Sequence, residues 1–129
     1  MQNPSGSPKP NLPQPYGTPD ASLLVFAGDR SNRVAAPLHR VVNGTPVIAA
    51  GMVHEAREHG TIDAPRATLQ LINEFGQSAY AAADSDTLAL YSLFLMDGCE
   101  VSLHGIARQP FPEDPRTTYI QITSVEPLI

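Results

Sequence analysis

Apolar and polar residues alternate along most of this chain, and the alternation predicts a protein built mainly of β-strands. The clearest case lies near the C-terminus, where Ile120 and Ile122 alternate with Tyr119 and Gln121. A period of two places one set of side chains on a buried face of a sheet and the other set on its outer face. The predicted strands are residues 20–30, 37–42, 45–54, 66–75, 99–108 and 117–127, with a helix as the alternative for residues 66–75.

The pair Asn43-Gly44, between the second and third predicted strands, predicts that these two strands form a β-hairpin. Both residues tolerate the positive φ angles of a type I′ turn, and apolar, β-branched runs flank them. Arg40 precedes the turn and Arg57 follows the second strand. A hairpin that carries positive groups favours a surface that binds a ligand.

One segment has the period of a helix instead. Asp84 is a typical helix N-cap, and Leu88, Tyr91 and Leu95 follow at helical spacing until Gly98. The pattern predicts one helix of about three turns. Strands, then a helix, then a last pair of strands is the order of an OB fold. The predicted fold class is therefore all-β with one helix, as a five-stranded antiparallel β-barrel whose closure removes open edges.

The composition divides the chain in two. Residues 1–19 hold six of the thirteen prolines and cannot build a core. They are predicted to be a proline-rich flexible arm, and a docking arm for a partner or a sister subunit is the alternative. Residues 20–129 are predicted to form a single OB-like domain.

The net charge of −5 disfavours nucleic-acid binding, for which a basic surface is expected. The charges are unevenly distributed, however. Residues 30–57 carry four arginines against one glutamate, and residues 84–100 carry four acids and no base. If the fold places these segments on opposite sides, one face is basic. Seven of the eight cations are arginine, whose guanidinium binds phosphate and stacks on bases.

The sequence predicts no enzyme, no metal site and no cofactor. His54 and Glu55 resemble the start of a zinc-binding H-E-x-x-H helix, but Glu58 stands where the second histidine is required and His59 comes one position later. The single Cys99 cannot form an internal disulfide or supply a zinc cage, and a core position is favoured over a nucleophile for it.

The sequence also predicts a cytoplasmic protein. The given sequence does not open with the basic and then apolar pattern of a signal peptide. The longest apolar-rich run, residues 87–96, is too short to span a bilayer, and one cysteine fits a reducing compartment.

Four segments resemble bacterial single-stranded DNA-binding proteins and their relative, primosomal replication protein B. Residues 36–46 (A-P-L-H-R-V-V-N-G-T-P) are similar to the hairpin between the first strands of that family. Residues 71–83, with F-G-Q, lie where the family has a strand that ends in an aromatic residue. Residues 98–108 (G-C-E-V-S-L-H-G-I-A-R) and 118–128 are similar to its last two strands.

The resemblance implies a non-enzymatic OB-fold protein that binds single-stranded nucleic acid in replication or recombination, as a homo-oligomer. In that family, arginines follow the phosphates and aromatic side chains stack on bases. The implied phosphate-binding residues are Arg33, Arg40, Arg57, Arg66 and Arg108, and the implied stacking residues are Phe75 and Tyr80. Solvated or ion-paired arginines and core packing of the two aromatics are the alternatives.

A second function is left open. The acidic charge and the absence of tryptophan favour an OB-like structural or assembly protein, encoded by a phage or plasmid, that works through protein–protein contacts. In that case the proline-rich arm would connect subunits.

Overall fold

The computed structural model describes residues 22–128. The predicted arm of residues 1–19 lies outside this range. Within it, the strands and the α-helix are β1 (Leu24–Ala27), β2 (Val34–Pro37), β3 (Pro46–Gly60), β4 (Pro65–Ile72), β5 (Ser78–Ala83), α1 (Ser85–Tyr91), β6 (Glu100–Arg108) and β7 (Tyr119–Pro127). Short 3-10 helices span Leu38–Arg40, Ser92–Phe94 and Pro115–Thr117.

Five of these strands close into a barrel, with the helix between β5 and β6. The strand order is β2-β1-β3-β4-β5-β7-β6, and β3 also pairs with β6. Closure is possible because β3 is 15 residues long: its first half pairs with β6 and its second half with β4. The predicted OB-type barrel with one helix is confirmed. The expectation of an entirely antiparallel barrel is wrong, since β5 and β7 are parallel.

The core fills the barrel interior with the inward-facing residues of each strand. On β4, for example, Ala67, Leu69 and Leu71 are buried, while Arg66 and Thr68 are exposed. Leu88 of α1 adds to this core. The largest fully buried side chains are Leu23, Val25, Val53, Leu69, Leu71, Val101, Leu103, Ile120 and Ile122.

The predicted hairpin at Asn43-Gly44 is wrong. The strand before the turn is β2, which ends at Pro37 and pairs with β1 rather than with β3. The chain then forms a 3-10 helix that buries Leu38, and Val41 is buried three residues later. Because Leu38 and Val41 are spaced as in a helix, both side chains point into the core. The β-branched valines of this segment favour a strand when only the sequence is considered. The amide of Gly44 donates to the carbonyl of Ala107 on β6, at 2.7 Å.

Two other boundaries differ from the predictions. Residues 76–83 contain β5, although they carried no predicted strand, because alternate alanines rather than large apolar residues form its buried face. The predicted third strand ends at residue 54, but β3 continues to Gly60. The helix begins where predicted: the Asp84 carboxylate accepts a hydrogen bond from the Thr87 amide at 2.9 Å. Only its first part is α-helical, and a 3-10 turn completes it.

Between residues 22 and 128, no helix is long and apolar enough to cross a membrane.

Candidate nucleic-acid interface

A groove crosses the outer surface of β4, β5 and β7. It consists of two adjoining depressions of about 510 and 280 Å³, which share Thr68, Ala82 and Tyr119 as lining residues. Arg66, His59, Gln121 and Asp84 also line the larger one, and Tyr80 lines the smaller one, which is mainly apolar. The groove thus combines two phenol rings with cationic and amide groups on one sheet surface, and we call it the β4–β5–β7 groove.

The strand register explains why these side chains lie together. One row across the barrel surface runs through His54, Gln70, Tyr80, Tyr119 and Arg108, each paired with the next on the neighbouring strand. Paired residues point to the same face of a sheet. Strands that are distant in the sequence therefore contribute side chains to one continuous surface.

A second row supplies the lower part of the same surface. It runs through Arg57, Thr68, Ala82, Gln121 and Ile106 in the same strand order. The two rows are joined by a hydrogen bond in which the Arg108 Nε donates to Gln121 Oε1 at 2.7 Å. This bond leaves the terminal nitrogens of the Arg108 guanidinium available to a ligand.

Among the described residues, no acid forms an ion pair with an arginine of this face. Within residues 22–128 the ion pairs are Arg116 with Asp114, at 2.9 Å, and His104 with Glu126, at 3.8 Å. Neither pair includes Arg57 or Arg66, and both of these side chains are exposed. His59 Nε2 lies 2.7 Å from Thr68 Oγ1, which fixes the imidazole beside Arg66. The guanidiniums are therefore accessible to an anion.

Four of the seven sequence-predicted binding residues belong to this surface. Tyr80 and Arg66 line the groove, and Arg57 and Arg108 lie in its two rows. Tyr80 is 42% exposed, so the core-packing alternative does not apply to it.

The other three predicted residues lie elsewhere. Arg33 precedes β2 and Arg40 ends the first 3-10 helix, and neither lines the groove. Phe75 is 80% exposed in the β4–β5 turn, where it lines a separate depression of about 500 Å³ with Met52 and Leu128. Phe75 is thus not a core residue. Its predicted role in stacking and the predicted phosphate contacts of the two arginines remain predictions.

The basic and acidic segments do not lie on opposite sides of the fold, so the condition for a wholly basic face is not met. Asp84 lines the groove, and the carboxylate of Asp97 lies next to β3, where its Oδ1 accepts a hydrogen bond from the Ala56 amide at 2.7 Å. The backbone amide of Thr87, and then its side chain, hydrogen-bond to Asp84 and lower the pKa of this carboxyl, so it is ionised at neutral pH. The groove therefore has one negative border.

The sequence predictions missed Tyr119, Gln121, Thr68 and His59. A signal for two of them was present, because Tyr119 and Gln121 are the outward members of the C-terminal alternation. The sequence does not reveal that β7 pairs in parallel with β5, and this pairing brings Tyr119 beside Tyr80.

No protein-family model and no curated protein matches the chain. Solved structures do match, among them a chain from a crystal structure of yeast Stn1 and Ten1, with a TM-score of 0.50 and 15% sequence identity. The match covers 65% of this chain but only 43% of that chain, so this protein spans less than half of its structural relative. At this identity the likeness shows the fold alone: the chain is an OB-fold β-barrel.

Proposed function

We propose that this protein is a non-enzymatic OB-fold module that binds single-stranded DNA, of the type found in single-stranded DNA-binding and primosomal proteins, and that it acts in replication or recombination. The observation that carries the proposal is the β4–β5–β7 groove, where Tyr80 and Tyr119 lie side by side among accessible arginines. OB folds bind oligonucleotides on the face of their second and third barrel strands, which here are β4 and β5.

The chemistry of the groove fits a single strand better than a duplex. Bases of a single strand are unstacked and can lie on aromatic rings, and each stacked base contributes roughly 1–3 kcal/mol. Arg57, Arg66 and Arg108 lie around the two tyrosines, where they can follow the phosphates. The loops β3–β4 and β6–β7 begin beside the groove and expose Ile62 and Phe111, and OB folds use these two loops to enclose a strand.

The test is a fluorescence anisotropy titration of a labelled single strand of about 15 nucleotides, a length within the site sizes of OB folds. Three phosphate contacts predict a slope of log K against log salt of about −2, or roughly a 20-fold loss of affinity between 50 and 200 mM salt. Arg66→Gln should weaken binding and reduce the slope by about 0.7.

Arg30→Gln is the matched control, because it removes an exposed arginine of the β1–β2 loop that lies away from the groove. It should leave both the affinity and the slope close to those of the wild type. Absence of binding at 50 mM salt, or equal effects of the two substitutions, would rule out the groove as a DNA site.

A second function, an OB-like structural or assembly module, is favoured by a different surface. The outer face of β1 exposes Leu24 and Phe26 by 51% and 57%, and the paired positions of β2 hold Pro37 and Ala35. Exposed apolar side chains that lie together are typical of protein–protein contacts. Under this proposal the barrel binds a protein through this face, and the groove has no ligand.

A further inference from the structure

We propose that Asp97 is a positioning residue for the β4–β5–β7 groove: its carboxylate holds a β-bulge in β3, and the bulge determines that Arg57 and His59 face the groove. The inference rests on the proposed DNA-binding function and concerns how the charge of that same site is set. Asp97 belongs to the turn between the helix and β6, and with Arg57 it lines a separate depression of about 280 Å³ beside the groove.

The bulge changes which residues of β3 point outward. Before it, His54 pairs with Gln70, and after it, Arg57 pairs with Thr68, so the pairing shifts by one residue. Ala56, inside the bulge, is partly buried and packs against the core. A bulge adds one residue to a strand, and a shift of one residue exchanges the two faces.

The exchange has a direct electrostatic consequence. With strict alternation from the outward His54, the next outward positions would be Ala56 and Glu58. With the bulge, they are Arg57 and His59, and His59 pairs with Arg66. The bulge therefore places the guanidinium of Arg57, instead of the carboxylate of Glu58, at the border of the groove. This exchange favours the binding of a polyanion.

The bulge needs support because its backbone is strained. Glu55 has a φ angle of 52°, in the left-handed region that residues other than glycine rarely adopt. A bulge also leaves a backbone amide without its ladder partner. Here the Ala56 amide donates to Asp97 Oδ1 at 2.7 Å, a charge-assisted bond that replaces the missing one.

The turn that carries Asp97 is itself fixed to β3. The Gly98 amide donates to the Val53 carbonyl at 2.8 Å, and the Val53 amide donates to the Cys99 carbonyl at 2.8 Å. These two bonds anchor the turn just before the bulge, and the Asp97 carboxylate reaches the bulge itself. The helix-to-β6 turn is thus a support for the local backbone of β3.

The experiment is a double-mutant cycle with Asp97→Ala, Arg57→Ala and the double variant, titrated with the labelled single strand at 50 mM salt. If Asp97 acts by orienting Arg57 and His59, each single change weakens binding by about 3- to 10-fold, and the loss in the double variant is smaller than the product of the two single losses. Removing a carboxylate should otherwise strengthen binding to an anion, so a loss has the opposite sign from the simple charge effect.

Two further variants separate positioning from charge. Asp97→Asn keeps a side-chain oxygen that can accept from the Ala56 amide, so it should bind the strand at least as well as the wild type. Asp29→Ala removes an exposed acid of the β1–β2 loop, away from the groove, and should not weaken binding. Equal losses in Asp97→Asn and Asp97→Ala, or additive losses in the cycle, would overturn the proposal.

A readout without DNA keeps this inference distinct from the proposed function. In a ¹⁵N spectrum, the Ala56 amide proton of the wild type should lie further downfield than that of Asp97→Asn, in which a neutral amide oxygen replaces the carboxylate as acceptor. If the wild type fails to bind DNA, the function fails, and the amide shift alone decides whether Asp97 holds the bulge. An Ala56 amide proton at the same position in both proteins contradicts the inference even if Asp97→Ala does not fold.

Discussion

The outer surface of the barrel has two faces that differ sharply in chemistry, although both expose an aromatic ring to a similar extent. Tyr80, on the β4–β5–β7 groove, is 42% exposed, and Phe26, on β1, is 57% exposed. Around Tyr80 the paired positions hold Gln70 and Tyr119, with arginines at the ends of the rows. Around Phe26 the paired positions hold only Ala35 and Ile48.

The difference shows that an exposed aromatic residue does not by itself define a base-stacking site. A base also needs hydrogen-bond donors for its edges and cations for its phosphates, and only the groove provides both. The face of β1 and β2 lacks them, so its exposed phenyl ring and methyl groups suit an apolar protein surface. Each face therefore supports a different one of the two candidate functions.

The largest expected effect comes from a change that disturbs the barrel beneath both faces. Gly105 of β6 lies where the β6–β7 pairing shifts register, and a Cβ there would meet the Gln121 carbonyl oxygen and lie 2.7 Å from Ile120 Cγ2. We expect Gly105→Ala to lower the free energy of unfolding by about 1–3 kcal/mol, as overpacking does. Urea denaturation followed by circular dichroism measures it.

Gly76→Ala is the control for that experiment. Nothing lies within 4 Å of a Cβ at Gly76, but its φ angle of 79° strains any other residue. Its cost should come from the backbone alone, at roughly 1 kcal/mol. If Gly105→Ala lowered the free energy of unfolding less than Gly76→Ala does, the close approach of β6 and β7 would not exclude a side chain at position 105 as the structure indicates.

The comparison itself is tested by truncating one ring on each face. Tyr80→Ala should weaken binding of the single strand by roughly 5- to 100-fold, because one stacked base is lost. Phe26→Ala should change that affinity less than twofold, since no groove residue contacts it in the strand register.

Sedimentation of the same two variants addresses the second function. Dissociation of an oligomer by Phe26→Ala, with no DNA binding by the wild type, would favour the assembly module. Similar losses of DNA affinity in both variants would instead remove the distinction between the two faces.

The smallest expected effect is at the negative border of the groove. Asn caps helices as well as Asp does, so Asp84→Asn should keep the stability of α1 at neutral pH. Removing the charge should strengthen strand binding by about two- to fivefold at low salt, the scale of an exposed charge interaction. Weaker binding by this variant, measured by anisotropy, would indicate that the ligand does not approach Asp84.

The same variant also has a pH signature. Hydrogen bonds from Thr87 lower the pKa of Asp84 below its ordinary value of 3.8. The stability that the ionised cap contributes is therefore fully present above the unfolded-state pKa and is lost as the pH falls through the lowered value. Thermal unfolding of Asp84→Asn between pH 2 and 5 should lack this part of the acid dependence.

The segments that the sequence predicted well are those in which local chemistry and tertiary packing agree. Asp84 starts the helix because its carboxylate binds the amide of Thr87, three residues away. The strands β6 and β7 follow their alternation almost to the residue, since each has one buried face. Such segments are enough to predict the OB-type barrel, whereas the candidate binding residues came from the family resemblance, and only Arg108 among the four on the groove surface lies on one of these segments.

Tertiary structure alone decided the rest. Asn43-Gly44 has the ideal hairpin sequence, but β3 pairs with β1, β4 and β6 instead of with the segment before the turn. In that segment, Leu38 is buried in the core. The alanines of β5 carry too little hydrophobicity to reveal a strand until β4 and β7 pair with it. The groove depends on those pairings and on a bulge held by Asp97, because a shift of one residue exchanges the faces of a strand. Local sequence thus determined the strands that have a strongly apolar buried face, and the pairing of distant strands determined the others and which side chains share a surface.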